Sequence, residues 1–202
     1  MSTQFNNVCV RDGSRTEELA KFFLDGFCDD VHEIKLRNEK IQPLDRESLM
    51  LRDRLVAERV TDHPMLKYAK EFAAADTIVI AAPFWDLSFP SLLKIYLEAI
   101  SVCGITFCYE NNAPRGLCRA ERLFYITTAG GPVFSDFGFS YAKELAETFY
   151  GIEQTKCFRA EGLDIVGADI DGIMAMAKSE IEEWLVLNDY SLPIRKNGQD
   201  LI

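Results

Sequence analysis

Hydrophobic positions along the chain alternate between helical and extended spacing. Leu19, Phe22, Phe23 and Phe27 recur at helical intervals and predict one apolar face of about three turns. Ahead of them, residues 7–10 read as a short strand. Residues 31–36 alternate apolar and polar, as a strand does. Residues 45–60 are charged and read as a helix, with Leu49, Leu51, Leu55 and Val56 placed unevenly. Pro64 then opens a helix through Tyr68 and Phe72, proline being favoured in a first turn. Thr77-Ile78-Val79-Ile80-Ala81-Ala82 is a continuous, β-branched run, the pattern of a strand covered on both faces. Leu92, Leu93, Tyr96, Leu97 and Ile100 predict the next helix, opened by Ser88 and Pro90. Residues 123–128 form another strand, and Tyr141, Leu145 and Phe149 mark a helix face. Residues 155–160 make a last strand before an amphipathic helix on Ile170, Ile173, Met174, Ala177, Ile181 and Trp184.

Strands separated by helices imply an α/β fold, a parallel sheet with helices on both faces. Such sheets bind ligands beyond the carboxyl ends of their strands, near a topological switch point. No repeat or low-complexity segment interrupts the pattern. At roughly 150 residues per domain, 202 residues make one domain, residues 1–190, with residues 191–202 expected as a loose tail.

Charge narrows the partners. Lys and Arg total 22 against 32 Asp and Glu, a net charge of −10 that repels a polyanion, so no nucleic-acid partner is expected. The longest unbroken apolar stretch, residues 78–85, is far short of the roughly 20 residues a bilayer span needs. Residues 1–15 are polar and lack the apolar core of a signal peptide, so the cytoplasm is expected and no membrane partner. Two distant histidines and six cysteines without a C-x-x-C pair give no metal site; in a reducing compartment the cysteines read as core thiols.

Three strand ends carry candidate chemistry. After the first comes Arg11-Asp12-Gly13-Ser14-Arg15-Thr16, leading into the Leu19 helix. Hydroxyls and free N–H groups at a helix start attract an anion, and Arg11 and Arg15 can add charge-assisted bonds to a phosphate. Ser14-x-x-Glu17 is equally a capping box that needs no ligand, and Glu17 and Glu18 oppose a dianion. After the central strand, Pro83-Phe84-Trp85-Asp86-Leu87-Ser88-Phe89-Pro90 sets two aromatics where a loop is normally polar. They can line a flat ring, or they can anchor the following helix in the core. After the fourth strand, Thr127-Thr128-Ala129-Gly130-Gly131-Pro132 allows close backbone approach to a ligand, or makes an ordinary turn.

Ala81-Ala82-Pro83-Phe84-Trp85-Asp86-Leu87, then Leu93-Lys94-x-Tyr96-Leu97, then Gly104-Ile105-Thr106-Phe107-x-Tyr109, resemble the FMN-dependent NADH-azoreductases. Those enzymes belong to the flavodoxin-like NAD(P)H:quinone oxidoreductases. Thr127-Thr128-Ala129-Gly130-Gly131 and Ala160-Glu161-Gly162 continue the match, which spans about residues 76–185. The resemblance implies a flavodoxin-like three-layer sandwich with strand order 2-1-3-4-5. It implies non-covalent FMN, a homodimer, and two-electron transfer from NADH or NADPH to quinones, azo compounds or other small flat aromatic acceptors by a ping-pong mechanism. No catalytic acid, base or nucleophile is assigned, because the cofactor carries the chemistry.

By the same resemblance Ser14, Arg15 and Thr16 hold the phosphate, with Arg11 beside them. Pro83, Phe84, Trp85, Asp86 and Leu87 border the ring, and Thr128, Ala129, Gly130 and Gly131 meet its pyrimidine side. Tyr109 falls near the substrate pocket, often that of the partner subunit. A flavodoxin-type electron carrier and a flavin-free binding domain are the alternatives on this fold. Trp85 and Asp86 stand where azoreductases commonly carry Tyr and Asn, Ala129 replaces a frequent Arg, and the phosphate loop is shorter and holds two arginines. A carboxylate at Asp86 can either repel charge on a reduced flavin or cap the helix after Ser88.

Overall fold

The computed structural model describes residues 2–27 and 30–190. Seven strands and six α-helices follow in the order β1 (Thr3–Asn7), α1 (Arg15–Phe27), β2 (Val31–Lys35), α2 (Arg46–Ala57), α3 (Lys67–Ala74), β3 (Thr77–Ala81), α4 (Ser91–Ile100), β4 (Phe107–Glu110), β5 (Ala113–Gly116), β6 (Arg122–Thr128), α5 (Phe139–Leu145), β7 (Gln154–Ala160) and α6 (Ile170–Leu187). Pro64 opens a 3-10 turn that feeds α3, so proline stands in the first turn as its missing N–H allows. The tail from Ser191 lies outside the described residues.

Five strands form one parallel sheet in the order β2-β1-β3-β6-β7, which is 2-1-3-4-5 when the strands of this sheet are counted alone. On one face α1 and α6 bury Phe23, Phe124, Phe158, Ile181 and the flank of Trp184. Phe23 and Phe124 meet at 4.7 Å between ring centres. On the other, α3, α4 and α5 cover Ile78, Ile80, Leu93, Tyr96, Tyr125 and Tyr150. Two apolar faces explain why β3 and β6 read as continuous apolar runs.

The first strand corrects the sequence reading. It is Thr3–Asn7, not residues 7–10, and all five of its residues are buried although four are polar. Residues 8–10 instead start the strand-end loop: the Val8 N–H donates to the Ala81 carbonyl at 2.9 Å. The sequence pattern also passed over a hairpin. β4 and β5 pair antiparallel through a two-residue turn at Asn111 and Asn112, whose φ values are +52° and +62°. Asn tolerates the left-handed region better than most side chains, as such a turn requires. Gly116 packs so tightly that a Cβ there would lie 2.2 Å from the Tyr150 and Gly151 backbone. The hairpin is thereby fixed beside the turn that enters β7, at the amino end of the sheet.

The cysteines divide by depth. Cys9 is buried, and burial pushes its thiol up to about 11. Cys118 and Cys157 pack against the core, and burial raises both to about 12. Cys103 and Cys108 are only half-buried, so they are not the core thiols expected. Cys28 lies outside the described residues.

Candidate functional site

The switch point between β1 and β3 brings three loops to the carboxyl end of the sheet. The first follows β1. Cys9 donates its N–H to Asn7 Oδ1 at 3.0 Å, which turns the chain out of the strand. Gly13, at φ +67°, completes the bend into α1. Ser14 Oγ accepts the Glu17 N–H at 3.4 Å, but the return half of the capping box is absent. The Glu17 carboxylate is turned to Lys21 Nζ at 2.7 Å, with Lys35 at 3.9 Å. Among the described residues, none of the backbone N–H groups of residues 11–16 donates to a protein acceptor. They form a ready cradle for an anion at the start of a 13-residue helix. The first-turn acids do not spoil it, since Glu18 is paired with Lys178 at 2.6 Å.

The second loop follows β3. Ala82 and Phe84 donate to the carbonyls of Ile126 and Thr128 at 3.0 Å, holding the chain beside β6 past the end of its own strand. Trp85 and Ser88 then exchange both backbone hydrogen bonds, at 3.1 and 2.8 Å. The two residues between them, Asp86 and Leu87, have φ of +50° and +65°. Two successive left-handed residues with side chains cost of order 1–2 kcal/mol each, a strain of the kind found at functional sites. Their N–H groups meet no protein acceptor among the described residues, and both side chains are exposed. Phe84 and Trp85 are half-buried and belong to no core cluster, so they are not anchors for α4. Asp86 is no cap either: α4 begins after Pro90 with no side-chain cap.

The third loop follows β6. Its backbone is fastened by one edge: Ala129 donates to Ala160, while the carbonyls of Ala129, Gly130 and Gly131 accept from Leu163, Asp164 and Gly162 at 2.9–3.3 Å. The Gly130 and Gly131 N–H groups meet no protein acceptor among the described residues. A Cβ on Gly130 would meet Asp164 Oδ2 at 2.4 Å, whereas Gly131 faces open space.

Side chains tie the three loops together. Thr16 and Thr128 share a hydroxyl hydrogen bond at 2.6 Å, joining the first loop to the third. The Arg11 guanidinium stands 5.8 Å from the Trp85 ring centre, joining the first to the second. Arg15 reaches Asp164 Oδ1 at 3.0 Å and the Leu163 carbonyl at 3.2 Å. Thus Arg11, Ser14, Arg15, Thr16, Pro83 to Leu87 and Thr128 to Gly131 come together. Tyr109 does not. It lies 62% exposed on the hairpin, at the other end of the sheet of its own chain. A groove of about 640 Å³ between β7 and α6, lined by Arg159, Glu161, Ile173, Met176 and Glu183, lies outside the three loops.

Sequence reasoning took Ala160-Glu161-Gly162 only as part of the resemblance and gave no role to the loop after β7, whose Gly162 and Asp164 brace the glycine pair and hold Arg15. The Gly162-to-Gly167 spacing, both at positive φ, was the available signal.

A family model described as a flavodoxin-like fold matches residues 8–185. The chain is 34% identical over 184 residues to a Coprothermobacter proteolyticus protein named FMN-dependent NADH:quinone oxidoreductase, covering 84% of this chain and 90% of that one. It is 37% identical over 186 residues to FMN-dependent NADH:quinone oxidoreductase 2 of Clostridium acetobutylicum, covering 85% and 92%. Among solved structures, an FMN-dependent NADH-azoreductase from Bacillus anthracis in complex with FMN superposes with a TM-score of 0.72 at 23% identity, over 93% of this chain and 99% of that one. An NAD(P)H:quinone oxidoreductase from Methanothermobacter marburgensis gives 0.70 at 15%, over 91% and 96%. At such identities these two establish the likeness of fold.

Proposed function

Because the chain belongs to the flavodoxin-like family that includes these quinone oxidoreductases, we propose that it is an FMN-dependent enzyme passing two electrons from NADH or NADPH to quinones or azo compounds. The observation that carries this reading is the convergence of three strand-end loops in which the N–H groups of residues 11–16, Asp86, Leu87, Gly130 and Gly131 lack protein acceptors among the described residues. FMN, when bound, supplies the two-electron chemistry that side chains lack. The fit is to one phosphate: a single helix-start cradle, and no G-x-G-x-x-G fingerprint for a dinucleotide.

The N–H groups of residues 11–16, with Ser14 and Thr16, hold the phosphate, and Arg11 and Arg15 add positive charge. Arg15 does so from a position fixed by Asp164. Pro83, Phe84, Trp85, Asp86 and Leu87 border the ring, offering an apolar wall and the two unpaired N–H groups of the tight turn. Thr128, Ala129, Gly130 and Gly131 lie on its pyrimidine side, where fixed N–H donors stabilise negative charge without reorganising. No side chain transfers a proton in this scheme. Donor and acceptor would take turns at this one site, which would make the kinetics ping-pong.

The cytoplasmic location and the homodimer expected from the sequence are part of the same proposal. Exposed Leu87, Phe134 and Phe137 beside the site, with Tyr109 remote from it, support a second copy that brings its own Tyr109 across. The test is to purify the protein, release the flavin with acid, and follow NADH oxidation with and without a quinone while sedimentation reports assembly. Expected are FMN, quinone-dependent turnover and a dimer. A colourless protein that refuses FMN, or a flavoprotein that neither NADH nor NADPH reduces, overturns the reading.

A further inference from the structure

We propose that Arg159 is a positioning residue that sets the loop at residues 133–139, which follows the Gly130–Gly131 pair, and with it the aromatic side chains of Phe134 and Phe137. Arg159 lies on the edge strand β7, opposite Thr127 of β6. Its guanidinium bonds two carboxylates, Asp136 and Glu161, the latter at 3.2 Å. Each carboxylate in turn holds loop backbone. Asp136 Oδ1 accepts the N–H groups of Gly138 and Phe139, both at 2.8 Å. Glu161 Oε2 accepts the Val133 N–H at 2.9 Å. One cation therefore fastens the loop at both ends.

The loop passes this order on. Phe137 donates its N–H to the Leu87 carbonyl at 3.0 Å, and Ser88 Oγ donates to the Phe137 carbonyl at 3.3 Å. The Arg159 clamp thus reaches the tight turn at Asp86 and Leu87 through Phe137. Asp136 is only 15% exposed, and Arg159 25%, so the pair is shielded enough for loss of the guanidinium to leave both carboxylates without their shared cation. A guanidinium suits the position because its planar fork serves two acceptors at once, which an ammonium does less well. The identity of what the loop faces rests on the flavin reading above; the clamp itself does not.

Phe134 is 92% exposed and Phe137 62%, so chymotrypsin reads the loop directly. Cleavage after these residues, and the rate of FMN release, are measured for the full chain and for Arg159→Met, Arg159→Lys and Asp136→Asn, well below each unfolding midpoint. Lys156→Met is the control, since Lys156 lies on the same strand but pairs with Glu180 on α6. Arg159→Met should speed both by about ten-fold or more, the scale of a lost shielded ion pair acting on local opening. Arg159→Lys should recover most of the difference. Asp136→Asn, which keeps an acceptor for the two N–H groups, should fall between, and serves if Arg159→Met does not fold. Wild-type rates in a folded Arg159→Met or in Asp136→Asn overturn the proposal, as does an equal acceleration in Lys156→Met. If cleavage responds to Arg159 but the wild-type protein binds no FMN, the clamp stands and the flavin reading falls.

Discussion

Strands β1 and β3 lie side by side at the centre of the sheet, in parallel register from Thr3 opposite Thr77 to Asn7 opposite Ala81. Every residue of both is buried. Their chemistry is opposite. β3 is Thr-Ile-Val-Ile-Ala and needs only apolar neighbours. β1 is Thr-Gln-Phe-Asn-Asn and needs particular ones. Gln4 Nε2 donates to Asn6 Oδ1 at 3.0 Å and to the Tyr96 hydroxyl at 2.6 Å. Asn7 Nδ2 donates to Glu33 at 2.8 Å while its Oδ1 takes the Cys9 N–H. A buried strand need not be apolar if most of its polar atoms are paired; in β1 Thr3 Oγ1 and Asn6 Nδ2 are the exceptions, without a partner among the described residues. β3 would tolerate many apolar neighbours, whereas β1 is matched to Tyr96, Glu33 and the loop that leaves it.

The sharpest way to break this comparison is to write β1 chemistry into β3. Ile80→Asn gives β3 the residue that its register partner Asn6 already carries, without a prepared partner. It should destabilise the protein by about 3 kcal/mol or more, read by denaturant unfolding. A loss below about 1 kcal/mol would mean that polar groups are accommodated anywhere in this core, and the contrast would collapse. A smaller effect tests the matching from the other side. Tyr96→Phe should cost about 1–3 kcal/mol by leaving Gln4 short of a partner. In a Gln4→Leu background the same change should cost less, and a double-mutant cycle without coupling would count against the network.

The smallest effect concerns where each strand delivers the chain. β3 leads to a turn whose one charged residue, Asp86, pairs with no base among the described residues; β1 leads to α1, whose Glu17 lies against Lys21. The hydrogen bond from Lys21, aided by the charges of Lys21 and Lys35, holds the Glu17 carboxyl below its ordinary range, against some opposing desolvation. A carboxyl depressed in the folded state contributes stability above its unfolded value, and that contribution is lost as pH falls through the folded one. Hydrogen-exchange protection at the start of α1, corrected for the intrinsic exchange rate, should therefore fall on acidification more than protection in β3, and Glu17→Gln should flatten the difference. An unchanged acid response in Glu17→Gln would show that the charge pair does not hold the helix start.

The same contrast explains what could be read from the chain. β3, β6, β7, α1, α4 and α6 announce themselves through apolar periodicity, and with them the sheet and its switch point. β1 does not, because its burial is supported by side-chain pairing that leaves no hydropathy signal. The β4–β5 hairpin hid behind Pro114 and Gly116, which argue against a strand although the Asn111-Asn112 turn argues for one. The loops that gather at the strand ends were legible because position after a strand is a sequence property. How their side chains are used was not. Arg15 is drawn to Asp164 across 149 residues, and Asp86 neither caps α4 nor lies buried. Such choices depend on which distant loops the fold brings near.

The polar character of β1 also has a meaning in time. Gln4 and Tyr96 are 92 residues apart, and β3, the strand that covers the inner edge of β1, begins only at Thr77. At synthesis rates of roughly 5–20 residues per second, the amino-terminal strand waits on the order of 5–20 s at the ribosome for its last partner. An Ile- and Val-rich segment left unpaired for that long invites association with other nascent chains. A strand of Thr, Gln and Asn with a single Phe offers little to stick to while it waits. The apolar strand, emerging later, finds β1 already present to receive it.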